Sequence, residues 1–539
     1  MTHLNTQLTH PPMEQRRWRF SRRPTLLYVA ATLVALLMTL PVVYLVIRTA
    51  GAGSKAWAQL VRPATFEVLV GSAALALVAT VGSLLIGVPL AWLTTRTDLP
   101  GRRVILVLAM LPLAIPSYIG AWAMIAVIGP KGLLQQVLEP LGVDRLPSIY
   151  GFWGAALALT LFGYPYVLLG VRVGLRRLDP ALEEASRSLG HNGRTTFWRV
   201  TVPQLRPALT ASALLVTLYT LSDFGVVSLL RYNSFTRAIY QQYRSSFDRT
   251  GAAVLALVLV ALTLVILAAE TLTRGRSRYY RSSAGVARYV RLLELGRWRW
   301  LALGFCGAVI LVAVMLPVVA ILSWLLIGLR SGQPLNIQLP DLLNSLLAAG
   351  LAAGVAVGAA LPVVFLAVRH PGRMTTLLER CAYVGYALPG IVVALALVFW
   401  GAKYALWAYQ TLAMLVLAYL VRFLPQAIGS IRTTLLQISP RLEEAAQALG
   451  QSRWQSLRSI TLPLLTPGLL SGAALVFLST LKELPATLLL GPTGFDTLAT
   501  DIWHNATEVQ FSLTAFPALL LMGAAAGSLA LLLAQDRRG

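Results

Sequence analysis

Two acidic residues, Asp223 and Glu483, lie in strongly apolar stretches of this 539-residue chain. They hold the same position in two related segments, Leu-Tyr-Thr-Leu-Ser-Asp223 and Leu-Ser-Thr-Leu-Lys-Glu483. Tyr219 precedes Asp223 by one helical turn and would share its face. Carboxylate and phenolate oxygens suit hard cations, and acids at membrane depth are costly and usually functional. These three residues are candidates for lining a cation path.

A structural role for the two acids is the alternative. Lys482 is adjacent to Glu483 and would neutralise either acid, or both acids would cap the outer end of a helix. Three more tyrosines are candidate lining residues, although tyrosines are also common at membrane interfaces: Tyr118, Tyr164 and Tyr166. The sequence leaves these interpretations open.

Each acid follows a polar segment that occurs twice. The first copy reads Pro180-Ala-Leu-Glu-Glu-Ala-Ser-Arg-Ser-Leu-Gly190, and the second reads Pro440-Arg-Leu-Glu-Glu-Ala-Ala-Gln-Ala-Leu-Gly450. Between 180–209 and 440–469, 12 of 30 positions are identical without a gap. Identity at a fixed register indicates a duplicated unit. A polar duplicated loop in an apolar chain is where function is expected.

Each copy is predicted to form two short helices around a glycine. Asp179 and Ser439 are good N-cap residues, and Pro180 and Pro440 would then take the first helical position. Acidic residues near a helix N-terminus are favoured by the helix dipole; here they are Glu183, Glu184, Glu443 and Glu444.

Glycines and prolines mark the ends of these short helices. Gly190 and Gly450 are placed to end the first helix in a left-handed turn. We expect the second short helix to stop at Pro203 in one copy and at Pro463 in the other. The next membrane spans would then begin at the following prolines, Pro207 and Pro467.

Composition identifies an integral membrane protein. Hydrophobic residues make up 57% of the chain and charged residues only 12%, with mean hydropathy +0.70. Apolar runs of about 20 residues cross a bilayer as helices. We predict an all-α fold of about twelve spans, at 25–48, 68–93, 104–128, 149–172, 207–230, 251–271, 300–328, 342–368, 377–400, 405–428, 467–490 and 511–534.

The net charge of +24 does not indicate nucleic-acid binding, because the arginines cluster beside the ends of apolar runs. Two cysteines, Cys306 and Cys381, form neither a metal motif nor a disulfide framework. We expect no cofactor and no resident metal. No nucleophile–base constellation suggests an enzyme.

Arginine positions predict the topology. Five arginines precede the first span and place the N-terminus in the cytoplasm. A basic linker, 272–299, separates a first half (1–271) from a second half (300–539), and the two are parallel six-helix repeats. Both duplicated loops and both termini then face the cytoplasm. The arginines of 231–249 fall outside and fit this topology poorly.

The duplicated loop resembles the EAA motif of permease subunits of ABC importers. The second copy has the full pattern: Glu444-Ala445-Ala446, Gly450, Ile460 and Leu462-Pro463. The first copy keeps the spacing but departs from it at Ser186, Val200 and Val202. These departures are small and keep apolar residues where the motif has them. The resemblance covers most of the chain.

In that family the loop is the coupling helix, which seats in a groove of a cytoplasmic ATP-binding subunit. The resemblance implies a fused permease in the bacterial inner membrane, with two copies of an ATP-binding subunit and a periplasmic substrate-binding protein as partners. Gly51–Lys55 lacks phosphate-loop spacing, so a partner hydrolyses ATP. The implied ATPase-coupling residues are Glu183, Glu184, Ala185, Gly190, Glu443, Glu444, Ala445 and Gly450.

The fused layout and the segment 482–500 resemble ferric iron permeases most, with thiamine and phosphonate permeases as alternatives. Two other classes stay open. Twelve spans in two halves also fit an ion-coupled secondary transporter, which the duplicated loops disfavour. A purely structural membrane subunit is disfavoured by the acids in apolar segments.

Overall fold

The computed structural model describes residues 25–130, 132–143, 145–178, 180–244, 248–273, 292–333 and 339–536. Throughout these residues the regular secondary structure is helical, and they contain no β-strand. The predicted all-α fold is therefore confirmed. Asp179, the five N-terminal arginines and most of the 272–299 linker lie outside the described residues.

The first half of the chain forms long apolar helices separated by short ones. They are α1 (Thr25–Gly51), α2 (Ser54–Leu60), α3 (Pro63–Arg96), α4 (Arg102–Met110), α5 (Ser117–Ile128), α6 (Leu133–Leu138), α7 (Phe152–Arg177), α8 (Pro180–Ser188), α9 (Gly193–Thr196), α10 (Val202–Ser222), α11 (Gly225–Leu229), α12 (Phe235–Arg244) and α13 (Arg249–Thr273).

The second half follows the same order of long and short helices. They are α14 (Arg299–Ile310), α15 (Leu316–Arg330), α16 (Leu339–Arg369), α17 (Arg373–Ala382), α18 (Gly390–Tyr404), α19 (Leu412–Gln437), α20 (Pro440–Ala448), α21 (Arg453–Ser456), α22 (Leu462–Leu481), α23 (Pro485–Leu490), α24 (Leu498–Thr507) and α25 (Phe511–Asp536). A π-helical turn joins α14 to α15.

The two halves correspond helix by helix and interlock. Helices α3 to α5 match α16 to α18, and α7 to α13 match α19 to α25. The first helix of each half packs against the other half: α1 lies on α16, α17 and α18, whereas α14 and α15 lie on α4 and α5. Both large hydrophobic cores therefore contain residues of both halves.

The number of spans differs from the twelve expected. Among the described residues, nine helices are long and apolar enough to cross a membrane, or ten when α17 and α18 are taken as one span bent by 107°. Four predicted spans cross helix breaks: 104–128, 207–230, 377–400 and 467–490. A hydropathy average runs straight through such a break. Pro116 and Pro389 mark two of them, each immediately before a helix.

The prolines after the duplicated loop lie differently from their predicted positions. Pro203 and Pro463 fall at the second residue of α10 and α22, and therefore begin a long helix instead of ending a short one. Pro207 and Pro467 lie inside these helices. A π-helical turn leads directly into each helix.

Candidate functional site

The breaks after α10 and α22 hold the two acids. Asp223 Oδ1 accepts a hydrogen bond from the Val226 N–H at 2.8 Å, and Glu483 Oε1 accepts one from the Ala486 N–H at 3.4 Å. Each acid therefore satisfies a free amide at the start of the short helix that follows. The acids thus cap the short helix that follows and not the outer end of the long helix, and each has a second carboxylate oxygen for other partners.

Both acids line one cavity of about 390 Å³ between the halves. Tyr219 lines it as well, so the structure brings all three predicted path residues together. Tyr118 and Tyr166 also lie in its wall, while Tyr164 is buried elsewhere in the core. The charged side chains of the wall are Asp223, Arg422, Lys482 and Glu483.

Asp223 is held by neutral donors. The Ser117 hydroxyl, on the first residue of α5, donates to Asp223 Oδ2 at 2.5 Å. Within the described part of the chain, no lysine or arginine lies within ion-pair distance of Asp223. The side chain is buried, with the residue 8% exposed. Asp223 thus brings to the cavity a carboxylate that has no ion-pair partner among the described residues.

Glu483 is held by an arginine that sequence reasoning did not select. Arg422 of α19 contacts both carboxylate oxygens, from Nη1 to Oε1 and from Nε to Oε2, each at 3.3 Å. Lys482 instead crosses to the other half and donates to the Leu113 carbonyl at 2.6 Å. The expectation that Lys482 neutralises an acid is therefore wrong. Arg422 could have been identified from the sequence, because it is a charged residue inside the apolar segment 412–437 and charged residues at membrane depth are usually functional.

The halves use different side chains at matching places around the acids. Ser117 and Gly390 are the first residues of α5 and α18, and each follows a proline. Phe162 and Arg422 hold matching places in α7 and α19. A Cβ on Gly390 would overlap the Arg422 guanidinium, and a Cβ on Gly120 would overlap the Phe162 ring. Gly390 and Gly120 therefore leave the space that the side chains of Arg422 and Phe162 occupy.

One aromatic contact joins the halves directly beside Asp223. The ring of Phe224 lies 5.1 Å from that of Trp503 and 4.9 Å from that of Tyr240. Phe224 also lines the cavity, next to Asp223. Phe224 is fully buried. Phe224 therefore links the cavity wall to aromatic side chains of both halves.

Each duplicated loop is tied to the long helix of its own half. In the first copy, Glu183 accepts a hydrogen bond from Thr201 at 3.0 Å and lies 3.5 Å from Arg96. In the second copy, Glu443 accepts from Thr461 at 3.1 Å and pairs with Arg369 at 2.9 Å. The first glutamate of each pair therefore anchors its loop.

The glycines of both loops adopt the left-handed conformation that was predicted, with φ of 84° at Gly190 and 90° at Gly450. Pro180 and Pro440 begin α8 and α20, as expected. Ser439 holds the N-cap position but makes no side-chain capping hydrogen bond.

The outer face of each loop is apolar, a feature that the motif did not reveal. Leu189 is 79% exposed and Leu449 is 87% exposed. Leu182 and Leu442 are also exposed, together with Ala185 and Ala445. Exposed apolar side chains on two matching polar loops are typical of a protein-binding surface.

Sequence comparison identifies the family. The family model described as "binding-protein-dependent transport system inner membrane component" matches residues 83–278 and again residues 350–538. The chain belongs to this family. Its members are membrane components of transport systems and not enzymes, and they work with ATP-binding and substrate-binding partners. The protein is therefore a multi-pass membrane permease with the family domain present twice.

Three relatives show how the match is distributed. The Fe(3+)-transport system permease protein FbpB 2 of Haemophilus influenzae is 34% identical over 506 residues, covering 93% of this chain and 96% of the relative. The ferric transport system permease protein FbpB of Actinobacillus pleuropneumoniae is 26% identical, covering 76% of this chain and 62% of the relative. The sulfate transport system permease protein CysT of Synechococcus elongatus is 29% identical, covering 49% of this chain and 92% of the relative. The last relative corresponds to about half of this chain.

Proposed function

We propose that this chain is the complete transmembrane pathway of an ATP-driven importer of ferric iron. The observation that carries the choice of iron is the similarity to an Fe(3+)-transport permease over nearly the full length of both proteins. Iron would be delivered by a periplasmic substrate-binding protein, and ATP would be hydrolysed by separate subunits.

Two ATP-binding subunits would bind this chain, one at α8 and one at α20. The apolar faces formed by Leu182 with Leu189 and by Leu442 with Leu449 support this proposal, because each presents a separate surface of matching shape. The anchoring of Glu183 to Arg96 and of Glu443 to Arg369 would pass movement of a loop to α3 or α16. The loops and both termini would face the cytoplasm.

The cavity between the halves would be part of the path. Its wall carries two acids and two basic groups, but one acid is already paired with Arg422 and Lys482 is occupied by a carbonyl. Asp223 would therefore supply most of the attraction for a cation, strengthened by the low dielectric of the wall. Within the described residues, no group of three or more His, Cys, Asp or Glu side chains is arranged to hold a metal ion. The cation would pass without a protein cage.

Transport measured in a reconstituted system tests the proposal. Proteoliposomes would contain the chain with its ATP-binding subunits, and the iron-loaded binding protein would be supplied outside with ATP inside. We expect uptake of labelled ferric iron that stops when ATP or the binding protein is omitted. Uptake without ATP-binding subunits would instead show an ion-coupled secondary transporter.

Separate transport assays with other substrates test the choice of iron. Thiamine and a phosphonate are the alternatives from family resemblance, and sulfate is added because CysT matches half of the chain. We expect that none of these, each supplied with a binding protein specific for it, is accumulated. ATP-dependent accumulation of any of them, with no accumulation of iron, would overturn the proposed substrate and keep the permease.

A further inference from the structure

A second cavity, of about 700 Å³, lies at the end of the first half that carries α8. It is bounded by the last turns of α3 and α7, by α4 and by Leu292. Five arginines line it and no acidic residue does: Arg96, Arg102, Arg103, Arg172 and Arg176. Such a concentration of like charge in one concavity attracts an anion.

The arginines are poorly compensated by the protein itself. Arg96 is 3% exposed, and its Nε is buried without a hydrogen-bond partner, although its Nη2 contacts Leu175 O and Glu183. Among the described residues, Arg102 donates to the Thr97 carbonyl, at 3.2 Å. Within the described residues, Arg172 and Arg176 have no carboxylate within ion-pair distance. Guanidinium groups left in this way, of which that of Arg96 is buried, favour an anionic ligand.

In the second half, the protein itself supplies a carboxylate at the matching place. There Arg432 of α19, which matches Arg172 of α7, pairs with Glu379 of α17 at 3.3 Å. The matching helix α4 reads Arg-Arg-Val-Ile-Leu-Val-Leu-Ala-Met and has no acidic residue at any position. Leu436 stands where the first half has Arg176. Among the described residues, the first half therefore carries more positive charge at this place and lacks the internal carboxylate.

The sequence that leads to Leu292 adds further positive charge. Residues 272–291 contain six arginines and neither aspartate nor glutamate. Apolar surface adjoins the basic wall, because Leu106 and Leu175 line the cavity and Val107 and Val104 of α4 are exposed beside it. A ligand with an anionic head and an apolar tail would match both parts. Basic pockets between membrane helices bind phospholipid head groups in this way.

We infer that this cavity, which we call the arginine pocket, binds a phosphate group at the membrane boundary beside the first coupling loop. The shared chemistry is phosphate oxygens accepting hydrogen bonds from guanidinium groups. An anionic phospholipid and free phosphate are the two possible sources. Because Arg96 also contacts Glu183, an occupied pocket is linked to α8 through one side chain. The inference does not depend on which substrate is transported.

Thermal unfolding of the purified full chain tests the pocket in two arms. One arm uses phosphatidylcholine nanodiscs with increasing phosphatidylglycerol, and the other uses phosphatidylcholine nanodiscs with increasing inorganic phosphate. A ligand that binds only the folded state raises Tm with its concentration. Native mass spectrometry counts the phosphatidylglycerol molecules retained. We expect wild type to show a saturable rise in Tm in at least one arm.

The variant Arg103→Gln with Arg176→Gln removes two exposed pocket charges without disturbing the core. We expect it to need about tenfold more of the ligand for the same rise in Tm. The matched control is Arg297→Gln with Arg299→Gln, which removes two exposed arginines outside the pocket and should behave like wild type. A second variant, Leu106→Glu, gives the pocket an internal carboxylate and should also suppress the response.

The arm in which the pocket variant loses the rise in Tm identifies the source of the phosphate group. If the pocket variant loses the rise in Tm only in the phosphatidylglycerol arm and retains one fewer lipid molecule, the ligand is a phospholipid. If the pocket variant loses the rise in Tm only in the inorganic phosphate arm, the ligand is a soluble phosphate. If wild type shows no saturable rise in either arm, or the pocket variant responds as wild type does in both, the pocket does not bind phosphate and the inference is overturned.

Discussion

Arg422 occupies the space that a side chain on residue 390 would need, and Gly390 is what allows it to reach Glu483. The matching first residue of α5 is Ser117, which has a side chain and uses it to hold Asp223. The same two positions thus support an acid in each half by different means. This relationship can be tested by adding a single methyl group.

Gly390→Ala should disturb the contact between Arg422 and Glu483. The added Cβ would overlap the guanidinium and approach the carboxylate, and such overpacking costs about 1–3 kcal/mol. Thermal unfolding in detergent should show a lower Tm. Gly429→Ala in α19 is the control, because a Cβ there meets open space and alanine favours a helix. Equal Tm values for the two variants would show that the ion pair does not need the glycine.

Asp223→Asn should lower ferric iron uptake about tenfold, equivalent to about 1.4 kcal/mol, while leaving Tm unchanged. The amide oxygen can still accept from the Val226 N–H, and the amide NH2 can donate to the Ser117 hydroxyl in place of the present bond, so the charge is lost while both partners are kept. Ser117→Ala is the matched control, since it removes a hydrogen bond to Asp223 but keeps the charge. Uptake by Asp223→Asn equal to wild type would leave the acid as a structural cap.

Glu483→Gln should act on stability as well as on uptake. It leaves the Arg422 guanidinium in the cavity wall without its carboxylate, and breaking a largely buried pair in this way is destabilising. A lower Tm for Glu483→Gln than for Asp223→Asn is expected. The reverse order would mean that Asp223 has the stronger structural role.

The double variant Gly190→Val with Gly450→Val should weaken binding of the ATP-binding subunits. Open space surrounds both glycines, so the cost comes from the left-handed backbone alone, on the order of 1–2 kcal/mol at each site. Co-purification and ATPase activity stimulated by the binding protein measure the effect. Gly193→Val in the same loop is the control, because Gly193 also has open space but lacks a positive φ. Normal assembly and stimulation in the double variant would contradict a coupling role.

Single cysteines at Asn192 and Gln451, in a background with Cys306→Ala and Cys381→Ala, report the orientation of the loops. Both positions are exposed in the structure. A membrane-impermeant thiol reagent should label them in inside-out vesicles but not in intact cells. Labelling from outside at either position would reverse the topology inferred from the arginines.

The sequence predicted the features that depend on local chemistry and on repetition. Left-handed turns at Gly190 and Gly450 follow from glycine after a short helix, and the shared cavity of Asp223 and Glu483 agrees with their matched places in the repeat. Three-dimensional partners were harder to foresee. Nothing adjacent in sequence links Arg422 to Glu483, and adjacency pointed instead to Lys482, whose side chain reaches Leu113 in the other half.

The breaks in the spans were missed for a physical reason. Hydropathy measures transfer of side chains and does not register where the backbone stops being helical. Segments such as 207–230 and 467–490 are predominantly apolar, yet each is interrupted beside an acid. Because backbone amides are freed at these interruptions, the carboxylates find partners there. The acids themselves were therefore the signal for the breaks.

The unlike partners of Asp223 and Glu483 have a consequence for how the chain could have arisen and changed. A permease assembled from two identical subunits would have to place the same residue on both walls of its cavity, so every substitution would appear twice. Joining both walls in one polypeptide removes that restriction, and Phe162 can face the cavity where Arg422 stands opposite. An ion on the axis between the walls then experiences a sideways electric field, directed from the Arg422 guanidinium toward the Asp223 carboxylate, which the symmetry of a homodimer would cancel.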